Sequence, residues 1–484
     1  MTVLADLRAR ALWLRAQGRL DEAIAVLDPL MAQPPVRADI ARIHGETRHA
    51  QALTLVRAGR RDEGIALLRR VVDDHPGDEQ AHLNLARLLF AAGQRAAPAG
   101  LLAVLVARRP DLAAPDLAEI ALLLAEAGSA EPAEAAARRA LAQDATRPDW
   151  WVTLGLALHQ QDRLDAALAA YEQALALDPG HIAAGCDAAM VHLARGDLAR
   201  GFAGFERRRG TAPPLPPPAE LAGRQVVLEG EQGHGDTLHF VRYAALVAAA
   251  GADVTLRVQP ALVRLLAGME GVMRVQDRDG VPPEGALHLP LASLPLLFGT
   301  TLATIPAEVP YVFAEPGTVA GWQARLATLP GRKIGLAWAG DPRRTLSDRA
   351  MDARRSVPLA TLAPLAEIAG VTFVSLQKGA APAGMALIDW TGELADFADT
   401  AALATALDLV ITVDTAVAHL AAALGRPVWL LNRYDADWRW LRDRDDSPWY
   451  PTLRQFRQTM PGDWHGVVQR VAAALAEWSS RAAP

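Results

Sequence analysis

The alternation of apolar and polar positions divides the chain into two regions of different character. Up to about residue 210, small and aliphatic residues recur every three to four positions, which is typical of amphipathic helices. Beyond residue 218, short runs of aliphatic and β-branched residues alternate with helical stretches, as in parallel α/β sheets. The segment 211–218 between them contains five prolines and predicts an extended linker. We therefore expect a helical domain over 1–210 and an α/β domain over 219–484.

The helical region repeats itself. Counting from Trp151, the positions at +3, +4, +7, +16, +20, +23 and +28 are occupied by Leu154, Gly155, Leu158, Ala167, Tyr171, Ala174 and Pro179. These are the offsets of a tetratricopeptide repeat, in which small residues let two antiparallel helices pack closely. The same frame recurs elsewhere and indicates about six copies in an all-α tetratricopeptide solenoid. We expect its concave face to bind a peptide or a partner protein, the alternative being a dimer interface or a rigid spacer.

One stretch of the α/β region, residues 410–431, has the pattern strand, tight turn, helix, glycine stop and strand. Ligands of parallel sheets bind beyond the carboxyl ends of the strands, which is where Asp414 and Thr415 fall. The start of the following helix offers unpaired N–H groups to a phosphate, and His419 lies one turn further on. The alternative is that Asp414 or Thr415 only caps the helix and that His419 is a surface residue.

A second turn, rich in glycine, follows the strand predicted at 226–228. Gly233 and Gly235 would allow a ligand to approach the backbone, and Asp236 would begin the next helix facing the same cleft. The turn is neither a dinucleotide fingerprint nor a P-loop. Here too, the alternative for Asp236 is a helix cap. Further strands are predicted near residues 253, 286, 311, 333, 371, 409 and 428, in two strand–helix halves at 219–325 and 330–484.

Composition and charge exclude several classes of protein. The formal net charge of −6 gives no general basic surface for nucleic acid, and the single cysteine, Cys186, excludes a disulfide framework and a cysteine-based zinc site. The first ten residues lack the apolar core of a signal peptide. No run of about 18 apolar residues predicts a membrane span. We expect a cytoplasmic protein that spans no membrane and binds no nucleic acid.

The two motifs together resemble those of the bacterial heptosyltransferases, glycosyltransferase family 9. Residues 235–239, Gly-Asp-Thr-Leu-His, are similar to the amino-lobe turn of that family, and Asp414-Thr415 with residues 419–423 is similar to its carboxyl-lobe motif. The resemblance implies the GT-B architecture, two Rossmann-like lobes that face each other. The whole chain also resembles bacterial tetratricopeptide proteins fused to such a domain. Some relatives of that kind modify proteins such as flagellin.

The resemblance also implies roles for individual residues. Asp236 would be the catalytic base, and Gly233, Gly235, Asp414, Thr415 and His419 would bind a nucleotide-diphosphate sugar. Arg355 and Lys378 follow strands of the carboxyl lobe and are the candidate cations for the diphosphate, the alternative for each being a solvated surface charge. The implied enzyme inverts the sugar carbon and needs no metal or other cofactor.

The predicted function is therefore a glycosyltransferase whose repeats select a protein hydroxyl, with a flagellin-like acceptor among the candidates. One alternative is a repeat scaffold with a degenerate sugar-binding domain that no longer turns over. Another is a transferase of polysaccharide assembly whose repeats serve complex formation. A further expectation concerns the aromatic tail, Trp438, Trp440, Trp449, Tyr450 and Trp464. We expect it to pack against the domain, with sugar stacking as the alternative.

Overall fold

The computed structural model describes residues 2–32, 35–340, 346–379 and 384–481, and the chain forms two compact units that divide between Ala157 and Leu158. The first unit consists of antiparallel helix pairs. The helices that begin in it are α1 (Thr2–Ala16), α2 (Leu20–Met31), α3 (Ala38–Arg57), α4 (Arg61–Asp74), α5 (Glu79–Ala91), α6 (Ala96–Arg108), α7 (Ala114–Glu126), α8 (Ala130–Gln143) and α9 (Pro148–Gln160). Within the described ranges this is the predicted repeat architecture.

Small residues set the distance between paired helices, as the repeat pattern requires. A methyl group added to Gly64 on α4 would come within 2.5 Å of the Val56 side chain on α3, so these two helices approach as closely as glycine allows. Ala52, Leu68 and Val71 fill the contact and are fully buried. The apolar positions of the pattern thus form the core of each pair.

The last helices of the repeat region belong to the second unit. They are α10 (Leu164–Leu177), α11 (Ile182–Ala194) and α12 (Leu198–Phe205), followed by a 3₁₀ turn at Glu206–Arg209. Leu198 and Phe202 of α12 are buried in the same core as Val226 and Leu238 of the α/β region. The helices expected to end a solenoid are therefore packed into the domain that follows them. The proline-rich segment 211–218 leads from that turn to a 3₁₀ turn at Pro218–Leu221.

The first lobe of the α/β region has a four-stranded parallel sheet in the order β3-β2-β1-β4. Its strands are β1 (Gln225–Glu229), β2 (Asp253–Val258), β3 (Val272–Asp277) and β4 (Leu287–Pro290). Its helices are α13 (His234–Phe240), α14 (Ala244–Ala249), α15 (Pro260–Leu266) and α16 (Leu294–Leu297). Strand β3 was missed by the sequence reading, because its side chains are at most partly buried and show no alternation.

The second lobe has a five-stranded parallel sheet in the order β6-β5-β7-β8-β9. Its strands are β5 (Arg332–Ala337), β6 (Val371–Ser375), β7 (Leu409–Val413), β8 (Val428–Asn432) and β9 (Leu453–Arg457). The helices along this part of the chain are α17 (Pro316–Ala327), α18 (Leu346–Arg355), α19 (Phe397–Ala406), α20 (Ala416–Ala423) and α21 (Trp464–Ser480). Two parallel sheets with helices around them agree with the expected α/β class.

One prediction about this region is wrong. The segment 311–313 is not a strand, because the N–H groups of Tyr311 and Val312 donate to the carbonyl of Ala423 at the end of α20 instead of to a sheet neighbour. Helix α17, which follows this segment, packs against α19 of the second lobe. Trp322 of α17 also stacks on Trp390, which precedes α19, at 5.5 Å between ring centroids. The chain thus reaches the second lobe before β5 begins.

No helix in the described ranges combines the length and the apolar character that crossing a bilayer requires.

The core shared by α12 and the first sheet can be tested with a pair of matched substitutions. Phe202 is 2% exposed, and Phe202→Ala should lower the free energy of unfolding by about 3–5 kcal/mol because it leaves a cavity. Phe313→Ala removes the same atoms from a ring that is 60% exposed, and its effect should stay within about 0.5 kcal/mol. Urea unfolding followed by tryptophan fluorescence measures both values. Equal losses for the two variants would contradict the shared core.

Candidate functional site

A cavity of about 780 Å³ lies between the two lobes of the second unit, at the carboxyl ends of their strands. Both the loop after β1 and the start of α20 border it. The cavity is lined by every residue predicted for the site: Gly233, Gly235, Asp236, Arg355, Lys378, Asp414, Thr415 and His419. The two sequence motifs, which are almost 180 residues apart along the chain, therefore face one space.

The carboxylate of Asp236 is held from two sides. Gly233 occupies the cap position of α13, and its backbone N–H donates to Asp236 Oδ2 at 3.0 Å. Arg439 Nη2 donates to the other oxygen, Oδ1, at 2.5 Å. The cap alternative is thus correct for one oxygen of this carboxylate. The Asp236 side chain is still 26% exposed at the cavity, so its carboxylate remains accessible to a ligand.

Arg439 is a buried cation that sequence reasoning missed. Its guanidinium also donates to Asp437 Oδ1 at 2.9 Å and lies 4.5 Å from the ring centroid of Trp438. Burial acts to lower the pKa of Arg439, but the carboxylates of Asp437 and Asp236 outweigh it and raise the pKa above its ordinary value. Burial likewise acts to raise the pKa of Asp437, and Arg439 reverses this so that the net shift is downward. Arg439 and Asp437 are therefore both charged.

The start of α20 faces the cavity, and no side chain of the described residues is seen to cap its amides. Thr415 has the extended backbone of a cap residue, but its hydroxyl makes no capping hydrogen bond and lies 3.4 Å from the Thr412 hydroxyl. Ala416 and Val417, the first two residues of the helix, line the cavity. Their N–H groups have no partner within the helix, since the first turn never does. The simple cap reading of Thr415 is therefore wrong.

Asp414 lies just before this helix, at the end of the central strand β7. Burial raises its pKa, and the carboxylate of Asp437 adds to the shift, while Arg355 and Arg433 oppose it. Arg355 Nη1 donates to the backbone carbonyl of Asp414 at 3.1 Å, and its Nε donates to Asp352 at 3.0 Å. This arrangement fixes a cation beside the start of α20.

Gly340, at the end of the segment after β5, makes room for that cation. A methyl group there would lie 2.0 Å from Asp352 Oδ1 and 2.3 Å from Arg355 Nη2. Lys378 has a different position: it is exposed at the edge of the cavity, and its amine donates to the carbonyl of Leu394 at 2.7 Å. Of the two predicted cations, Arg355 is thus the one held inside.

Arg433 is a second cation that the sequence reading missed. It directly follows β8, the neighbour of β7, so that the parallel register brings it to the same sheet edge as Asp414. It lines the cavity with only 8% of its surface exposed. Its Nε donates to the Asp435 carbonyl at 3.2 Å, whereas its Nη1 is buried and has no hydrogen-bond partner among the described residues. A buried donor of this kind favours an incoming acceptor.

His419 joins the two lobes as a neutral side chain. Its Nδ1 lies 2.9 Å from the Tyr450 hydroxyl, and its ring stacks on Trp440 at 5.3 Å between centroids. Burial, and then the charge of Arg439, lower the pKa of His419 to about 3. A methyl group on Gly235 would come within 2.9 Å of the ring. His419 is therefore a buried contact between α13 and α20 rather than a surface residue.

The aromatic tail packs as expected. Trp440, Trp449 and Tyr450 are fully buried, and Tyr450 meets the rings of both His239 and His419. Arg242 of the first lobe inserts among them and donates to the Trp449 carbonyl at 2.6 Å. These residues are core between the lobes. Trp438 is the exception, because it also borders the cavity.

No group of three or more histidine, cysteine, aspartate or glutamate side chains within the described ranges is arranged to hold a metal ion.

Three segments of the chain match known families. Residues 55–127 and residues 148–181 match tetratricopeptide repeats. Residues 391–439 match glycosyltransferase family 9 (heptosyltransferase). The last match begins before α19, covers β7, α20 and β8, and ends at Arg439. It therefore includes Asp414, His419 and Arg433.

The chain is similar to protein FlbA of Caulobacter vibrioides, with 29% identity over 334 residues that cover 60% of this chain and 54% of FlbA. It thus spans about half the length of that curated relative. Among solved structures, a glycosyl transferase family 9 protein from Veillonella parvula aligns with 54% of this chain and 99% of its own, at 10% identity and a TM-score of 0.38. MamA from Desulfovibrio magneticus aligns with 35% of this chain and 97% of its own, at 16% identity and a TM-score of 0.31.

The three family matches agree with the architecture. Helix pairs make up the amino-terminal part, and two parallel sheets with a shared cavity follow. The chain combines tetratricopeptide repeats with a heptosyltransferase-like domain of glycosyltransferase family 9.

Proposed function

We propose that this protein transfers a sugar from a nucleotide-diphosphate sugar to an acceptor hydroxyl on a protein that the repeats select. The observation that carries the proposal is that one cavity has a carboxylate, Asp236, on one lobe and an uncapped helix start with buried arginines on the other. A base and an anion site that face each other are what such a transfer needs. The family 9 match over residues 391–439 supports this chemistry.

The diphosphate would bind on the second lobe. The N–H groups of Ala416 and Val417 and the positive end of the α20 dipole favour a phosphate. Arg433 has a buried guanidinium nitrogen without an acceptor among the residues that the structure describes, and Arg355 lies beside Asp414. Both can donate to phosphate oxygens in the forked geometry of arginine. Asp414, whose pKa is raised by burial, would face the sugar hydroxyls.

In the transfer, the acceptor oxygen attacks the anomeric carbon from the face opposite the diphosphate, so the configuration at that carbon inverts. The new bond joins that carbon to the acceptor oxygen, and the bond to the diphosphate oxygen breaks. Asp236 takes the hydroxyl proton, and the electron pair leaves with the diphosphate. Arginine side chains and the helix start stabilise the growing charge on the leaving group. No step of this scheme uses a metal.

A non-catalytic scaffold is the main competing function. Its cavity would bind a nucleotide sugar without turnover, so incubation with a panel of nucleotide sugars would release no nucleotide. A transferase of polysaccharide assembly would release nucleotide but modify no protein. The donor itself can be found first, since a nucleotide sugar that binds only the native state raises the melting temperature.

Substitution of the proposed base tests the mechanism. Asp236→Asn should lower the rate of sugar transfer about 10²–10⁴-fold, because the amide cannot accept the hydroxyl proton. Donor binding, followed as the rise in melting temperature, should remain. Asp253→Asn, at an exposed position of the same lobe, is the matched control and should transfer at the wild-type rate. Transfer by the Asp236 variant at a near wild-type rate would show that the base is wrong.

The anion site has its own test. Arg433→Met keeps the apolar stem of the side chain but removes the guanidinium, so the dissociation constant of the nucleotide sugar should rise about 10- to 100-fold, the loss expected for hydrogen bonds to a charged group. Arg454→Met, at an exposed position on β9 of the same sheet, is the control. Isothermal titration calorimetry measures both. Equal affinities for the two variants would remove Arg433 from the donor site.

A further inference from the structure

The cavity has a third wall that comes from neither sheet. Met190 of α11 and Phe205 at the end of α12 line it, together with the loop of Asp236 and with Trp438. These two helices are the last pair of the repeat region, and α11 packs against the turn at Trp438–Trp440. A heptosyltransferase-like domain alone would lack this wall, because both residues precede the proline-rich segment.

The wall is fixed to the first lobe. Arg208, in the turn after α12, donates to Glu231 Oε1 at 2.6 Å and to Ser293 Oγ at 2.8 Å. Its guanidinium lies 4.3 Å from the ring centroid of Phe205, which holds that ring in place. Glu231 is two residues before Gly233, so the same contacts tie the wall to the loop that carries Asp236. The distance between wall and base is therefore set by the fold.

The chemistry of the wall does not suit the donor diphosphate. The buried cations Arg355 and Arg433 and the start of α20 belong to the second lobe, whereas Met190 and Phe205 are apolar. The thioether and the ring can pack against an uncharged chain, and neither can pair with phosphate. Because the donor is proposed to bind on the second lobe, the wall of Met190 and Phe205 is available to the acceptor, whose hydroxyl must reach Asp236.

Helix α11 continues the surface away from the cavity. Asp187 lies one turn before Met190, so the two side chains share a face. Burial raises the pKa of Asp187 to about 6, and the charge of His181 opposes this shift. The Asp187 carboxyl can form a hydrogen bond with the backbone of an extended polypeptide that lies on this face.

We propose that α11 and α12 form the acceptor subsite, where an extended polypeptide lies along Asp187 and Met190 and presents a serine or threonine hydroxyl to Asp236 beside Phe205. This inference rests on the proposed sugar transfer and assigns its acceptor. Met190 and Phe205 offer an oligosaccharide no hydrogen-bonding side chain, and stacking of a sugar on the rings of Phe205 and Trp438 is the alternative that the test below distinguishes. A wall continuous with a repeat helix favours a polypeptide.

The test uses the full chain, the nucleotide sugar that raises its melting temperature, and a library of twelve-residue peptides with one central serine or threonine. Met190→Trp should raise the KM for peptide about tenfold or more by filling the subsite, while the KM for the nucleotide sugar changes less than about twofold. Asp187→Asn, which keeps the shape of the side chain, should raise the peptide KM as well. Met273→Trp, at a position 73% exposed on β3, is the control and should match the wild type.

The possible results distinguish failure of the acceptor subsite from failure of the proposed sugar transfer. Wild-type peptide KM values for both Met190→Trp and Asp187→Asn would overturn the acceptor subsite. Nucleotide release by the wild type with no modified peptide, or transfer only to added oligosaccharides, would overturn the polypeptide as its occupant. Failure of the wild type to release nucleotide from any nucleotide sugar would instead contradict the sugar transfer, and the acceptor subsite with it.

Discussion

The close contact between the starts of α13 and α20 is the constraint on which the site depends. Gly235 allows it, because a side chain there would meet the ring of His419 at 2.9 Å and the backbone of Ala416 at 3.5 Å. This contact brings Asp236 of one lobe to the helix start of the other. His419 stays neutral in the contact, since its pKa is lowered to about 3, and so adds no charge beside the buried ions. Gly235 and His419 thus determine both the close approach of the two helices and the absence of an added charge at their contact.

The charged side chains around the cavity form ion pairs, and some of their guanidinium nitrogens remain available to an anion. Three carboxylates, those of Asp236, Asp414 and Asp437, lie among the guanidinium groups of Arg355, Arg433 and Arg439. Each cation has a carboxylate partner: Arg439 pairs with Asp236 and Asp437, Arg355 with Asp352, and Arg433 with Asp435. These ion pairs keep the cations stable in a buried place, where an unpaired charge is costly. Arg433 Nη1 and Arg439 Nε nevertheless lack acceptors among the described residues. The oxygens of a diphosphate would be acceptors for these two nitrogens. The ion pairs would thus hold the arginines in position for the donor before it binds.

Much of this site could be predicted from two short motifs, because the ends of parallel strands share one edge of a sheet. Asp236 follows a strand of the first sheet and Asp414 a strand of the second, so the strand pattern predicts each at the edge of its own sheet. That the two edges face each other was implied only by the resemblance to the heptosyltransferases. Arg433 directly follows β8, so the same rule of strand ends applies to it and could have found it. Arg439 lies further on, in the short turn Trp438–Trp440, where no periodicity marks a residue as buried. The packing of α12 against the first sheet could not be predicted either. The apolar stripe around Phe202 has the same sequence pattern whether it faces another repeat or a sheet.

The central claim is that the two lobes hold a nucleotide-diphosphate sugar between the start of α20 and Asp236. A crystal structure with the nucleotide sugar that most raises the melting temperature tests it most directly. We predict diphosphate oxygens within hydrogen-bond distance of the N–H groups of Ala416 and Val417 and of the Arg433 guanidinium, with the sugar on the side of Asp236. A nucleotide sugar bound outside this cavity, or one that points its sugar away from Asp236, would contradict the account.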